Sequence, residues 1–386
     1  MLLTKCVWQY HDKKSELDPA FDYFRFCANE GIRIGVEKHI TSKLKLHYEV
    51  YFKLRSEFYS RYVYGALECA ASKLKLYKKI IRKKPDAKTP YVWKNHLILD
   101  NQSYKLENDA IRIPIKPRKY VTIKLNHYVI EQIKSAKLGS ITLTENKLVI
   151  SYSKLVMGQN PAGFAGVDRN LNNATTCDTN GIVTVYDMSK ITEIKQKYMQ
   201  VKSNFKRNDV RIRKKVFQKY GIKQKHRVQD LLHKTSKKIT SQNTGVVMED
   251  IKGIRKLYRK GNGQGKKFRG KMNSWSFYEL QRQIEYKARW LGLPVKYVRA
   301  AGTSSKCAMC GSKMVPEEHR TLFCPSCKKS VDRDVNAARN ILAIGLAGGT
   351  KVVPDGAAGE AMVEEPSSGV ILKVDAAQLA CRLLNT

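Results

Sequence analysis

Two short cysteine pairs constrain this chain more than any other feature. Cys307-Ala308-Met309-Cys310 and Cys324-Pro325-Ser326-Cys327 are separated by thirteen residues. Each knuckle presents two thiolates at the ~2.3 Å reach that tetrahedral zinc requires, and two knuckles complete a closed structural site. Gly311, directly after the second cysteine, permits the tight knuckle turn. The spacing therefore predicts a compact zinc ribbon with Cys307, Cys310, Cys324 and Cys327 as ligands. Cys6, Cys27, Cys69, Cys177 and Cys381 stand alone in unrelated surroundings. They read as small buried hydrophobes in a reducing compartment.

A ribbon fills little of 386 residues, which leave room for two or three domains. Hydrophobic residues make up 42%, enough for a folded core. Lysine and arginine total 72 against 34 acidic residues, a net charge of +38. A folded chain tolerates such self-repulsion when a polyanion neutralises it, and nucleic acid is the usual one. An ordinary metabolic enzyme is excluded as the default. No run of 18 apolar residues occurs, so no membrane span is predicted. Lys5 falls where a signal peptide needs an apolar core, which points to the cytoplasm.

Periodicity changes along the chain. Leu2 to Tyr10 reads as a strand. Residues near 15–84 read as helical, with Val50, Leu54, Phe58, Tyr62 and Ala66 at helical spacing and lysines interleaved with tyrosines, until Pro85 and Pro90 close the block. From Leu97 to Lys154 the alternation has period two, as in Val121-Thr122-Ile123-Lys124-Leu125 and in Ser140-Ile141-Thr142-Leu143 turning at Glu145-Asn146. This is an antiparallel sheet or barrel, completed by the N-terminal strand and interrupted by the helical block. A third region follows Gly158 and Pro161. It holds a strand ending in Asp168, a hairpin signalled by Asn180-Gly181, and a basic helical stretch from Ile191 to Thr240 broken near Gly221. Next come a strand ending in Glu249, a basic mobile loop from Lys252 to Lys271, a helix from Trp275 to Leu291, a strand at Pro294–Val298, and a helix opened by Asp334. From Ala347 the composition turns acidic and rich in small residues, the pattern of a disordered tail.

Asp168, Glu249 and Asp334 each stand at the end of an element. In an RNase H-like sheet such positions converge at one end of adjacent strands. Three hard carboxylates in one place repel, and Mg²⁺ or Mn²⁺ neutralises them. Two such ions can activate water and stabilise the leaving 3′ oxygen of a phosphodiester. Asp250 and Asp332, beside two of these acids, read as structural, and Asp178 on the hairpin ranks behind them.

Gly166-Val167-Asp168, Val247-Met248-Glu249-Asp250 and the segment Asp332-Arg333-Asp334-Val335-Asn336-Ala337-Ala338-Arg339-Asn340-Ile341 resemble the RuvC-like motifs of the OrfB/TnpB family, proteins encoded by insertion sequences. Trp275-Ser276-Phe277 and Thr303-Ser304 leading into Cys307 resemble it too, and the family's zinc ribbon also sits between the second and third acidic motifs. The likeness covers about residues 160–345 and extends into the N-terminal part, where the family has a barrel interrupted by a helical recognition domain. It implies a multidomain α+β and α/β fold: a wedge-like β-barrel at 1–12 and 90–157, a helical recognition domain at 13–89, a RuvC-like nuclease domain at 158–301 and 329–346, the ribbon at 302–328 and a tail at 347–386. It further implies an RNA-guided, metal-dependent DNA endonuclease, similar to a minimal type V CRISPR effector. An element-derived guide RNA would pair with the target strand while the protein reads a short flanking DNA motif and holds the displaced strand. Asp168, Glu249 and Asp334 carry over as the Mg²⁺- or Mn²⁺-binding catalytic set. One departure is Arg169-Asn170, where the family commonly has an apolar residue and glycine. Arg169 is expected there to crowd or neutralise the metal site.

Three other readings compete. An RNA-guided DNA-binding regulator would have a crippled site, yet all three acids are present. A DNA-joining transposase would need a paired HUH motif or a suitably set tyrosine nucleophile. A ribosomal or other scaffold with a zinc ribbon leaves the acids unexplained.

Overall fold

The computed structural model describes residues 1–205, 209–242, 244–251, 253–259 and 261–348. The segment read as an acidic tail lies outside these residues from 349 onward. The chain divides into two compact units, Met1–Leu155 and a second beginning at Val156.

The first unit runs β1 (Leu2–Tyr10), α1 (Lys14–Glu37), α2 (Lys43–Leu54), α3 (Arg61–Ile81), β2 (His96–Leu99), β3 (Lys105–Glu107), β4 (Ala110–Lys116), β5 (Lys119–Lys124), α4 (His127–Ile133), β6 (Lys137–Thr144) and β7 (Lys147–Leu155). Helical spacing sets the α1–α3 contact. Leu17, Phe21, Phe24 and Ala28 of α1 and Tyr62, Ala66, Leu67 and Ala70 of α3 are buried, and both helices pack on β2. The β-rich part forms two antiparallel sheets, β1-β7-β6-β2 and β3-β4-β5. In β4 the period-two pattern buries Ile111, Ile113 and Ile115. The N-terminal strand does join this region, pairing with β7. Among the described residues no backbone ladder links the two sheets. A buried side chain does so instead: Gln9 on β1 donates through Nε2 to the Lys124 carbonyl at 2.7 Å and accepts from the Asn126 amide at 2.9 Å.

The second unit runs β8 (Phe164–Arg169), β9 (Asn173–Asp178), β10 (Val183–Asp187), α5 (Ser189–Asn204), α6 (Val210–Thr240), β11 (Gly245–Asp250), a 3₁₀ turn (Ile254–Tyr258), α7 (Lys266–Asn273), α8 (Phe277–Trp290), β12 (Val295–Arg299), β13 (Val315–Pro316), β14 (Thr321–Cys324), β15 (Lys329–Asp332) and α9 (Arg333–Leu346). Its main sheet has the order β10-β9-β8-β11-β12. β8, β11 and β12 are parallel, while β9 and β10 run antiparallel as a hairpin. Alternation divides each strand between two faces. Val167, Val246 and Met248 share a core with Leu232 of α6 and Leu280 and Ile284 of α8. Val247 and Val298 pack instead with Ile341 of α9. β13-β14-β15 form a separate small sheet around the cysteine pairs.

Two sequence expectations need correction. The break in the basic helical stretch falls before Asp209, and α6 runs unbroken through Gly221. A mid-helix glycine costs only about 1 kcal/mol against alanine, whereas the Asp209 carboxylate caps a new helix by accepting from the amides of Arg211 and Ile212 at 2.8 and 3.3 Å. The expected basic loop contains the 3₁₀ turn and α7, held together by an edge-on contact of Tyr258 with Phe268 at 6.0 Å between ring centres.

α9 crosses β8 at Gly166. A methyl group there would stand 2.3 Å from the Ala338 carbonyl oxygen and 2.7 Å from the Leu342 nitrogen, both backbone atoms that cannot swing away. Gly166→Ala should therefore lose about 1–3 kcal/mol of stability by pushing α9 off the sheet. Gly158→Ala, whose methyl meets nothing within 4 Å, should be neutral. Urea denaturation of the two variants checks the difference, and equal midpoints would refute it.

Candidate active site and metal centre

The four ribbon cysteines meet as their spacing predicted. Their sulfurs all lie within 4.8 Å of one another, with Cys310 3.5 Å from Cys324 and Cys307 3.9 Å from Cys327. A tetrahedron with metal–sulfur bonds of ~2.3 Å has edges of about 3.8 Å, so the donor set fits zinc. The two knuckles close alike. The Gly311 amide donates to the Cys307 carbonyl at 2.9 Å and the Lys328 amide to the Cys324 carbonyl at 2.8 Å. The residue after each pair, Gly311 or Lys328, takes the left-handed conformation. The Ser312 hydroxyl and amide hold the Cys310 thiol below the usual thiol range, favouring the thiolate a metal needs. Asparagines of α9 clip the first knuckle to the main sheet. Asn336 accepts from the Ala308 amide at 3.0 Å and donates to the Lys306 carbonyl at 2.7 Å, and Asn340 donates to the Thr303 carbonyl at 2.7 Å.

The acids gather at the N-terminal end of α9, next to these asparagines. In the parallel register Val167 lies opposite Met248, so Asp168 and Glu249 are the next residues on neighbouring strands. They share the face of Gly166 and Val247, the face that α9 covers. Asp332 caps α9, accepting from the amides of Asp334 and Val335 at 2.8 and 3.0 Å, and thereby sets Asp334 in its first turn. Asp178 likewise serves its turn, accepting from Asn180 and Ile182 amides at 2.9 Å.

Each carboxylate has its own partner. Asn170 Nδ2 donates to Asp168 at 2.7 Å, the Thr303 hydroxyl to Glu249, and both Asn173 (3.1 Å) and the Arg320 guanidinium to Asp334. Among the described residues the four cysteines form a group of ligand atoms within 4.8 Å of one another; the three acids are not gathered so tightly. They are close enough to feel one another's charge. Burial first, then the fields of Glu249 and Asp334, push Asp168 up from 3.8 to about 7, against the lowering by Asn170 and Arg169.

Arg169 does not stand where it would crowd the metal site. As the strand neighbour of Asp168 it emerges on the opposite face, with Val167, and is 4% exposed. Its guanidinium donates to the Glu249 carbonyl and to Gln281 Oε1, both at 2.6 Å, and more weakly to the Phe277 carbonyl at 3.4 Å. It ties the ends of β8 and β11 to the first turn of α8. Trp275, two residues before α8, adds a second tie, donating from Nε1 to the Asn170 carbonyl at 2.8 Å. Arg320 and Asn173 carry no motif, and the Thr303-Ser304 motif gives no sign that Thr303 meets Glu249; all three reach the acids only through the fold.

A TnpB-like protein from Methanocaldococcus jannaschii is 34% identical over 258 residues, which are 62% of this chain and 91% of that protein. The chain belongs to the TnpB family. Residues 277–341 match the Cas12f1-like TNB domain. A CRISPR-associated endodeoxyribonuclease Cas12f1 from Sulfoacidibacillus thermotolerans is 33% identical over 100 residues, 25% of this chain and 21% of that one. The cryo-EM structure of a Cas12f1–sgRNA–target DNA complex aligns with 84% of this chain and 82% of its own at a TM-score of 0.56 and 15% identity, a likeness of fold. The TNB match spans α8, the ribbon and the first nine residues of α9.

Two outcomes follow for this TnpB-family site. Zinc should be found near one per chain, and Cys310→Ser should release it and loosen the ribbon, because binding and folding are coupled there; elemental analysis showing no zinc would refute the assignment. Asp168 predicts a pH effect. Between 3.8 and about 7 the folded chain keeps a proton that the unfolded chain has released, so stability without metal falls as pH rises through that window. Asp168→Asn should thus melt higher than wild type in EDTA at pH 8, with the gap closing toward pH 4. Melting curves across that range decide it.

Proposed function

We propose that this chain is a TnpB-type RNA-guided DNA endonuclease that hydrolyses phosphodiesters at Asp168, Glu249 and Asp334. The observation that carries the reading is the placement of Asp168 and Glu249 on one face at adjoining parallel strand ends, with Asp334 brought to them by α9. The order and directions of the main sheet support reading it as an RNase H-like nuclease domain, with the ribbon inserted before α9. The two sheets and three helices of the first unit correspond, in this reading, to a wedge-like barrel and a recognition domain. Guide RNA and DNA as partners are supported by the similar complex, solved with sgRNA and target DNA, and by the net charge of +38. Among the described residues no helix is long and apolar enough to cross a membrane; a cytoplasmic site of action belongs to this proposal.

The donors fit hard cations. Three carboxylates, Asp168, Glu249 and Asp334, offer oxygen ligands and no competing thiol or imidazole, the set that Mg²⁺ or Mn²⁺ prefers. Such ions, when bound, supply an activated water and charge stabilisation of the leaving oxygen. The chain's own residues prepare the site. Asn170 and Thr303 fix the Asp168 and Glu249 carboxylates by donating to them. Arg320 brings a permanent positive charge to Asp334 at the mouth of the site. Arg169 holds the backbone of Glu249 from behind. With Arg169 on the far face, crowding of the acids no longer argues for the crippled-site regulator.

Guided cleavage of a plasmid in Mg²⁺ should fall by two orders of magnitude or more in Asp168→Ala and Asp334→Ala, which remove ligands nothing else replaces. Guide and target binding should persist, because phosphate contacts do not involve the acids. Undiminished cutting by Asp168→Ala would remove that residue from the site.

A further inference from the structure

Beside the start of α8, the hairpin of α5 and α6 opens onto a cleft of about 300 Å³. Lys195, Lys202 and Lys225 line it together with Gln224, Gln229 and Ser276. The carboxylate in the same lining, Glu279, is already engaged by Arg282 at 2.8 Å and Gln283 at 3.0 Å. Lys195 Nζ donates to the Ser276 hydroxyl at 2.5 Å and to the Ser274 carbonyl, and Lys202 Nζ to Gln224 Oε1 at 3.0 Å. Among the described residues none of these three ammonium groups is paired with a carboxylate. Ammonium groups with only neutral acceptors favour an arriving anion. Burial and the nearby Arg255 push Lys195 down to about 8, which marks how little the surroundings offset its charge.

We propose that this cleft binds a phosphodiester of a single nucleic-acid strand. Three cations, two amides and a hydroxyl match the several acceptor oxygens of a backbone phosphate, and Val228 and Leu232 in the wall offer apolar contact to its sugar. The cleft admits one backbone and is too small for a duplex. The cleft lies on the α6–α8 face of the main sheet, whereas the acids lie on the α9 face. Ser274 and Ser276, both held by Lys195, flank Trp275, which is bonded to the Asn170 carbonyl just past the strand end that bears Asp168. The cleft is thus linked to the acids only around the strand ends, through Trp275 and Asn170. The site deepens the nuclease reading by locating a substrate contact, but its binding can be measured without cleavage.

The test is fluorescence anisotropy of oligo-dT and oligo-U on the full chain across a salt series, in EDTA. Lys202→Ala/Lys225→Ala leaves the Lys195 bonds intact, and Lys195→Met keeps the apolar stem, so one of the two should fold as wild type. Each should weaken binding roughly three- to tenfold and reduce the slope of log affinity against log salt by about 0.7, the contribution of one phosphate on a single strand. Loss confined to oligo-dT or to oligo-U would support the site and assign the strand. An unchanged slope with both oligonucleotides in folded variants would overturn it. So would inorganic phosphate protecting these lysines from acetylation where neither oligonucleotide does, since that marks a free-anion site. If the variants show the slope change while the wild-type chain never cuts a guided target, the nuclease reading is refuted and this site stands.

Discussion

Everything chemical in the second unit depends on how closely one helix approaches one strand. α9 lies against β8 where Gly166 has no side chain, near enough that backbone nearly touches backbone. From that contact the helix reaches in two directions. Its first turn presents Asp334 to the strand ends that bear Asp168 and Glu249, and its asparagines Asn336 and Asn340 grip the loop and knuckle of the ribbon. The ribbon is thus more than an appendage stabilised by metal. Through Arg320 and Thr303 it returns two polar contacts to the acids, and these exist only while the ribbon is folded and α9 is seated. Closure of the cysteine cluster, helix docking and carboxylate orientation form one mechanical chain.

That chain explains what could be read from the residues and what could not. The ribbon was legible because ligand spacing is local: four thiols within 21 residues determine their own geometry. The acids were legible because each closes or opens an element with an unmistakable period. That the N-terminal strand joins the later sheet is legible in the alternation; its pairing with β7 is not. The partners of the acids were not legible. Arg320 lies fourteen residues before Asp334, and Thr303 fifty-four residues after Glu249, with nothing in either stretch that marks the pairing. The misplaced helix break has the opposite cause. A glycine inside a helix is only a weak breaker, while the cap at Asp209, a local hydrogen-bonding signal, starts a helix outright.

Arg169 shows how far a one-dimensional reading of charge can mislead. Next to Asp168 in sequence, it suggested a cation inside the metal site. A strand, however, sends consecutive side chains to opposite faces, so adjacency along the chain is the surest way to be kept apart. The guanidinium is buried on the α8 side, where five donors meet three acceptors from β11 and α8. A buried arginine is expensive unless hydrogen-bonded, and here backbone carbonyls and an amide supply the bonds. Its charge still reaches through the sheet, lowering Asp168 while burial and the other acids raise it.

The balance at Asp168 gives the site its character. A carboxyl that is 8% exposed, faces two more acids and has one neutral donor is unstable as an anion in the folded chain. Stability alone would favour asparagine or an apolar residue at that position, as it would favour alanine over glycine in an unstrained strand. The fold instead builds a rigid surround for an unfavourable group: Gly166 to admit α9, Asp332 to aim Asp334, Arg169 to fix the neighbouring strand end, and a ribbon to hold the far side. Such a site is arranged to accept cationic charge rather than to satisfy itself. The same logic, with the sign reversed, applies on the other side of Trp275, where among the described residues Lys195, Lys202 and Lys225 have no carboxylate paired to them. Crowded carboxylates at the strand ends and unpaired ammonium groups in the cleft are opposite excesses, which is why cations are proposed at the first and a phosphate backbone at the second.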